Sequence, residues 1–192
     1  MPGAEQMVLE RTRVWLERAV IGLNLCPFAK SVHVKGQIHY AVSCANSAAE
    51  LLGDLAAELK ALLALDAAVR DTTLLIAPDC LTDFLDFNDF LADADQVLID
   101  LEIVGVLQIA GLHPDFQFAG TLADDITNFT NRSPYPTLHL LREDSIDRAV
   151  RAFPQAETIF ERNIQTMEQL GSAGWAALNV GPGSKSVKSN ED

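Results

Sequence analysis

Hydrophobic positions recur along this chain at two spacings, and each change of spacing marks a new element. Val8, Trp15, Leu16, Ala19, Val20 and Leu23 fall at helical intervals, which predicts a first helix from about Glu5 to Leu23. NLCPFAK at 24–30 breaks it, because Pro27 disfavours a helical conformation at the residue before it. QIHYAVSC (37–44) alternates as a strand does. Ser47 and Glu50 have the spacing of a capping box, and Leu51, Leu52, Leu55, Leu59, Leu62 and Leu63 then line one face of a second helix. TTLLIA (72–77) is short, apolar and partly β-branched, the pattern of a buried strand. Phe84, Phe87, Leu91, Ala94, Leu98 and Leu101 alternate steps of three and four, giving a third helix. Its other face carries Asp83, Asp86, Asp89, Asp93 and Asp100 and reads as a solvated face. VGVLQIAGL (104–112) and TLHLL (137–141) predict two more strands. A helix starts at Asp144 or Ser145, runs to about Phe153 and is broken by Pro154. A last one runs from about Ala156 to Leu170 and is ended by Gly171.

The resulting order, α-β-α-β-α-β-β-α-α, predicts an α+β fold with α/β-like crossovers. Strands separated by helices favour parallel crossovers, whereas the last two strands can pair as a hairpin closed by a long loop. The expectation is one domain over residues 1–180 with a mixed four-stranded sheet and helices packed on it. GPGSKSVKSNED (181–192) has almost no apolar residues and predicts a disordered tail. No internal repeat is visible.

The segment 113–136 forms no obvious strand and is too irregular for one helix. Loops of this length in compact domains are functional or disordered. Phe116, Phe118, Ile126, Phe129 and Tyr135 supply anchors, so an ordered loop is expected, folded over the sheet edge. Thr121 with Asp124 three residues later marks the start of a short helical turn.

Composition narrows the function. The chain has 192 residues, 48% of them hydrophobic, and a mean hydropathy of +0.12, enough for a sizeable core. Lys and Arg number 14 against 27 Asp and Glu, a net charge of −13. Such a balance repels phosphate backbones and anionic lipids, so neither nucleic acid nor membrane is an expected partner. No run is long enough to span a membrane, and Met1 to Arg13 lacks the apolar centre of a signal peptide. Cys26, Cys44 and Cys80 are odd in number and widely spaced, which argues against a disulfide framework and for a reducing cytoplasm.

Several residues can carry chemistry. Cys26, beside Leu25, Pro27 and Phe28, is either a buried small hydrophobe or a thiolate. In the second case Pro27 opens a new helical turn, Cys26 caps it, and the helix end with Lys30 lowers the thiol pKa. Cys44 and Cys80 lack such neighbours and read as core. His113 ends the third strand and His139 sits inside the fourth. Each is either a hydrogen-bonded structural residue or a general base or metal ligand, and pairing of the strands would let them converge. Asp124 and Asp125 are helix-start acids, solvated loop charges, or orienters of an imidazole or metal. Arg132 pairs with one of them or offers its planar fork to a carboxylate or phosphate. Asn128 and Asn131 bond their own backbone or a ligand. Ser133, Tyr135 and Arg142 complete the set available to a substrate, although Arg142 with Glu143 reads most simply as a local ion pair. The two Asn-x-Ser/Thr triplets at 128 and 131 read as coincidental. No Gly-rich phosphate loop, GxSxG elbow or HExxH is present.

NLCPFAK, GLHPDFQFAG and DDITNFTNRSPYPTLHLLRE, with ERNI at 161–164, together resemble the signature blocks of the uncharacterised family catalogued as domain of unknown function 1415. The resemblance spans about Trp15 to Leu170. It implies that the Asn, Cys, Pro, His, Asp, Arg, Ser and Tyr residues just discussed in these blocks occupy family motif positions; it implies no activity, cofactor or substrate. Three readings follow from the residues. The first is a cysteine-dependent hydrolase or transferase acting on a small anionic metabolite. In it Cys26 is the nucleophile or thiol acid/base, His113 or His139 the proton partner, Asp124 the orienter and Arg132 the anion holder. The second is a zinc or iron site built from His113, His139, Asp124 and perhaps Cys26. The third is a rigid binding or dimerisation surface without catalysis. Neither a cofactor nor an oligomeric state is legible in the sequence.

Overall fold

A computed structural model describes residues 3–153 and 155–181. The break expected at Pro154 and the tail expected beyond Gly181 lie outside the described residues. The elements are α1 (Ala4–Trp15), α2 (Ala29–Val34), β1 (Ile38–Val42), α3 (Ala48–Ala64), β2 (Thr72–Ile76), α4 (Phe84–Asp100), β3 (Leu107–Leu112), β4 (Thr137–Arg142), α5 (Glu143–Ala152) and α6 (Ile159–Leu178).

The four strands form one mixed sheet in the order β1-β2-β4-β3. β1 and β2 are parallel, joined by α3; β4 is antiparallel to both β2 and β3. The hairpin between the last two strands is therefore present, and the loop of 113–136 closes it. The fold is α+β, as the order of elements predicts.

The sheet is apolar on both faces. Leu75, Leu138, Leu140 and Leu107 pack with Leu51, Leu55, Leu59 and Leu62 of α3 and with Phe87, Phe90 and Ala94 of α4. The alternate residues Leu74 and Ile76 pack with Val8 and Trp15 of α1 and with Met167 and Trp175 of α6. At Gly111 an added Cβ would lie 2.9 Å from the Phe87 ring and 3.0 Å from Leu91, so this glycine lets α4 press onto β3.

Side-chain caps set the starts of α3 and α4. Ser47 Oγ accepts from Glu50 N–H at 3.3 Å, and the Glu50 carboxylate accepts from Asn46 N–H at 2.8 Å, a capping box reaching one residue further back than expected. Asp83, assigned above to the polar face of α4, is its N-cap and accepts from Leu85 and Asp86 N–H.

Three expectations need correction. The first helix does not stay α-helical to Leu23; it passes into a π-helical segment, Leu16–Ile21, with Gly22 N–H bonded to Glu17 O at 3.0 Å and Leu25 N–H to Val20 O at 2.9 Å. The third strand starts at Leu107, because Gly105 turns the chain with φ +78 and leaves Val104 and Val106 exposed. Gly171, non-helical with φ +63 and ψ 174, ends the helix that precedes it as expected, and a second helical stretch, not predicted from the sequence, follows it to Leu178 within α6. Cys44 is exposed, since β1 ends at Val42.

Candidate functional site

The long loop is ordered by its own polar side chains. Asn128 is fully buried: its Oδ1 accepts from Phe118 N–H (2.9 Å) and the Thr121 hydroxyl (2.8 Å), and its Nδ2 donates to Leu122 O (2.8 Å). Asp125 caps a short 3₁₀ helix, Ile126–Asn131, accepting from the Thr127 N–H and hydroxyl. Those bonds hold its carboxyl below the usual range. The helical turn thus begins at Asp125, not between Thr121 and Asp124, and Asp124 is exposed. Ser133 donates to Tyr135 O at 2.6 Å, while Tyr135 is partly buried with its phenol pKa raised by burial.

Arg132 does not pair with Asp124 or Asp125. Its Nε donates to Phe116 O (3.2 Å), one terminal nitrogen donates to Ala123 O (2.6 Å), and the guanidinium lies 4.0 Å from the Phe129 ring centre. Carbonyls pointing inward from a tight loop are the nearest acceptors, so the fork closes on backbone. Trp15 Nε1 donates to Arg132 O at 2.8 Å and ties the loop to α1.

The two imidazoles do not converge. Ala110 pairs with His139 across β3 and β4, so His113, three residues beyond Ala110, lies on the opposite face. There it is fully buried against Phe84 and Phe87 of α4. Its Nδ1 accepts from Asp115 N–H at 3.0 Å and its Nε2 bonds Leu81 O at 3.1 Å, so the ring is neutral with both nitrogens engaged. Burial lowers its pKa, against an opposing pull from the Leu81 carbonyl. Among the described residues no three of His, Cys, Asp and Glu gather where they could hold a metal, and the His113–His139–Asp124 set is divided by the sheet.

His139 instead stands on the floor of a cleft of about 750 Å³. Its volume lies within the usual range for small-molecule sites. The floor is the sheet face carrying Ile38, Thr72, Leu74, His139 and Leu141. One wall is the π segment, the Leu25–Phe28 turn and α2; another is α5; Asn131 and Asn163 reach in from the 3₁₀ helix and α6. The lining is mostly apolar, with Cys26 in one wall.

Cys26 precedes Phe28, the residue at the cap of α2, by two positions, so it is not the cap itself. Burial pushes its thiol pKa up; the N–H groups of Phe28 and Ala29 oppose that shift without cancelling it. Of the two sequence readings, this goes against the thiolate with a lowered pKa and agrees with the buried small hydrophobe, because α2 starts two residues late and the sulfur sits in an apolar wall. Asn163 Nδ2 holds the turn by donating to Leu25 O at 2.9 Å, and Asn24 turns it with φ +55. No hydrogen bond joins Cys26 to His139. Lys30 is exposed and outside the cleft lining.

Three lining residues that the sequence did not single out form a chain at the cleft edge. Arg148 donates to Ser145 Oγ (2.9 Å), which donates to Asp71 Oδ1 (2.5 Å). Lys35 is a second exposed cation in the lining. No spacing signal brings these together, since they sit on α2, α5 and the approach to β2. Arg142 makes no ion pair with Glu143; its guanidinium caps the end of α3, donating to Leu62 O (2.5 Å), Leu65 O (2.6 Å) and Arg70 O (3.1 Å).

No curated protein and no solved structure matches the chain. Residues 7–177 match the family described as "Protein of unknown function (DUF1415)", and the chain belongs to that family.

Proposed function

We propose that the cleft binds a small organic molecule with an apolar body and an anionic end, and that Cys26 and His139 are the groups placed to act on it. The observation that carries this reading is the lining itself. One mostly apolar cleft of about 750 Å³ holds a thiol, an imidazole and the amides of Asn131 and Asn163, with Lys35 and Arg148 as exposed cations. In a chain of net charge −13, a cleft lined by Lys35, Arg142 and Arg148 against a single acid, Asp71, favours a carboxylate or phosphate there. The π segment that forms a wall supports the same reading, since such segments recur at functional sites.

Both reactive groups rest neutral. Burial raises the Cys26 pKa and lowers that of His139 to about 4. Cysteine chemistry here would start from a thiol and a neutral imidazole bridged by substrate, with no preformed ion pair. Among the residues expected from the sequence, Cys26, His139 and Asn131 serve this reading. Arg132, Asn128 and Ser133 support it by holding the loop that brings Asn131 to the rim.

The test is a titration of ¹⁵N-labelled protein with 3-(4-hydroxyphenyl)propionate and its neutral counterpart 3-(4-hydroxyphenyl)propanol, which carry the same phenol at the other end. The expected result is perturbation of the Cys26, Asn131 and His139 signals, stronger with the carboxylate. That preference should fall several-fold in the Lys35→Gln, Arg148→Gln double variant. Binding of neither probe, or a preference unchanged in the double variant, would count against the reading.

A further inference from the structure

The bonding around His139 fixes which of its nitrogens meets a ligand. Thr72 Oγ lies 2.6 Å from Leu140 O and 2.8 Å from His139 Nε2. A threonine hydroxyl has one hydrogen. The Leu140 carbonyl can only accept, and at 2.6 Å two oxygens need a hydrogen between them, so the hydroxyl donates to Leu140 O. Thr72 Oγ then has only lone pairs to offer Nε2, and Nε2 must carry the imidazole proton.

The other nitrogen is thereby left bare. Nδ1 of His139 takes no bond from the described residues. The one fully enclosed side-chain polar atom without a partner among them is the Tyr40 hydroxyl, so Nδ1 is not sealed in; the space it reaches is the cleft that His139 lines. We infer that Thr72 locks His139 as a hydrogen-bond acceptor at the cleft floor, and that the bound molecule must present an N–H or O–H to Nδ1. Thr72 is a positioning residue in this arrangement, because it sets the tautomer without facing the ligand's donor itself. The neutrality of the ring, enforced by its burial, agrees with the assignment.

This inference rests on the cleft being a ligand site, and it adds a requirement to that site. The ligand needs a donor near the floor as well as an anionic end near Lys35 and Arg148. An apolar acid lacking such a donor would leave Nδ1 buried and unpaired, and so bind less well.

Long-range ¹H–¹⁵N spectra of the full chain separate the two failures. In the free protein His139, assigned by its loss in His139→Gln, should show a protonated Nε2 and a bare Nδ1. That pattern should persist in Thr72→Ser and become a mixture of tautomers in Thr72→Val. A proton on Nδ1, or no change in Thr72→Val, overturns the Thr72 lock. Phenol and anisole, which share a ring but not the hydroxyl hydrogen, then probe the donor requirement. Phenol should move the Nδ1 signal at concentrations where anisole leaves it in place. An equal response to both overturns the donor requirement alone. A response to neither, with the tautomer as expected, overturns it together with the cleft as a binding site.

Discussion

His139 lies in β4 and His113 directly follows β3, the strand paired antiparallel with it, yet the two imidazoles face opposite sides of the sheet. One is packed among the phenylalanines of α4 with both nitrogens bonded; the other opens one nitrogen to a cleft. The division separates a residue packed into the core from one that lines the cleft, and it sets the expected pH behaviour.

Acid should weaken the fold in the window between the ordinary and the depressed histidine pKa. Both imidazoles have folded pKa values below 6.5, that of His139 at about 4. The unfolded chain therefore binds more protons than the folded one across that interval, and stability falls as pH drops from about 6.5 toward 4. The loss due to His139 is about 3 kcal/mol at most, less whatever the open cleft screens. Urea midpoints taken across this range should fall more gently in His139→Gln. An identical slope would show that His139 is not held neutral.

Arg132→Ala should loosen the loop, removing two bonds to carbonyls and the contact with Phe129. The expected cost is about 2 kcal/mol. Arg132→Lys should not recover it, because an ammonium cannot present the same planar fork to Phe116 O and Ala123 O. Hydrogen exchange over 113–136 should rise in both variants. Unchanged protection would remove Arg132 from the loop's support.

The three thiols should separate by alkylation rate. Cys44 is exposed and should react with iodoacetamide first, whereas Cys80 is buried in the core and should react last. Cys26 should be slow at neutral pH and accelerate only above the range of an ordinary thiol, because burial raises its pKa. Peptide mapping over a pH series reads all three. Cys26 modified ahead of Cys44 at neutral pH would contradict the burial-dominated thiol.

Arg142→Ala should destabilise the protein by about 3 kcal/mol, since it strips a charged donor from carbonyls at the end of α3 and in the approach to β2. Denaturant unfolding measures this. A loss no larger than that of Arg151→Ala, whose charge pairs at the surface with Asp147, would mean that the three carbonyls find water instead.

The legible parts of this molecule were those set by local periodicity. The leucine ladder of α3, the three-four spacing of α4 and the short apolar β2 can be read from neighbouring residues. The convergence of His113 and His139 could not be decided that way, because the face of each ring depends on a register between strands far apart in the chain. The choice between thiol and thiolate at Cys26 stayed open for a similar reason: Pro27 favours a new helical turn, but the true start of α2 and the apolar wall around the sulfur depend on tertiary packing. The cleft was least visible, because its polar groups come from α2, the approach to β2, the 3₁₀ helix, α5 and α6, with no shared motif. Arg132 stood out in the sequence because of its isolation in an acidic chain, yet its partners are backbone carbonyls, which leave no trace in side-chain composition.

The strand order carries a consequence for how the chain is made. β4 lies between β2 and β3 but is the last of the four to leave the ribosome. Until Thr137–Arg142 emerge, β2 and β3 have no strand to pair with on their facing edges, and the sheet is two separate pieces. A nascent chain stalled short of Arg142 should therefore expose Leu74–Ile76 as an open apolar edge for chaperones or for another copy's strand. The closing strand brings His139 with it, so the cleft floor is completed in the same event that joins the two pieces.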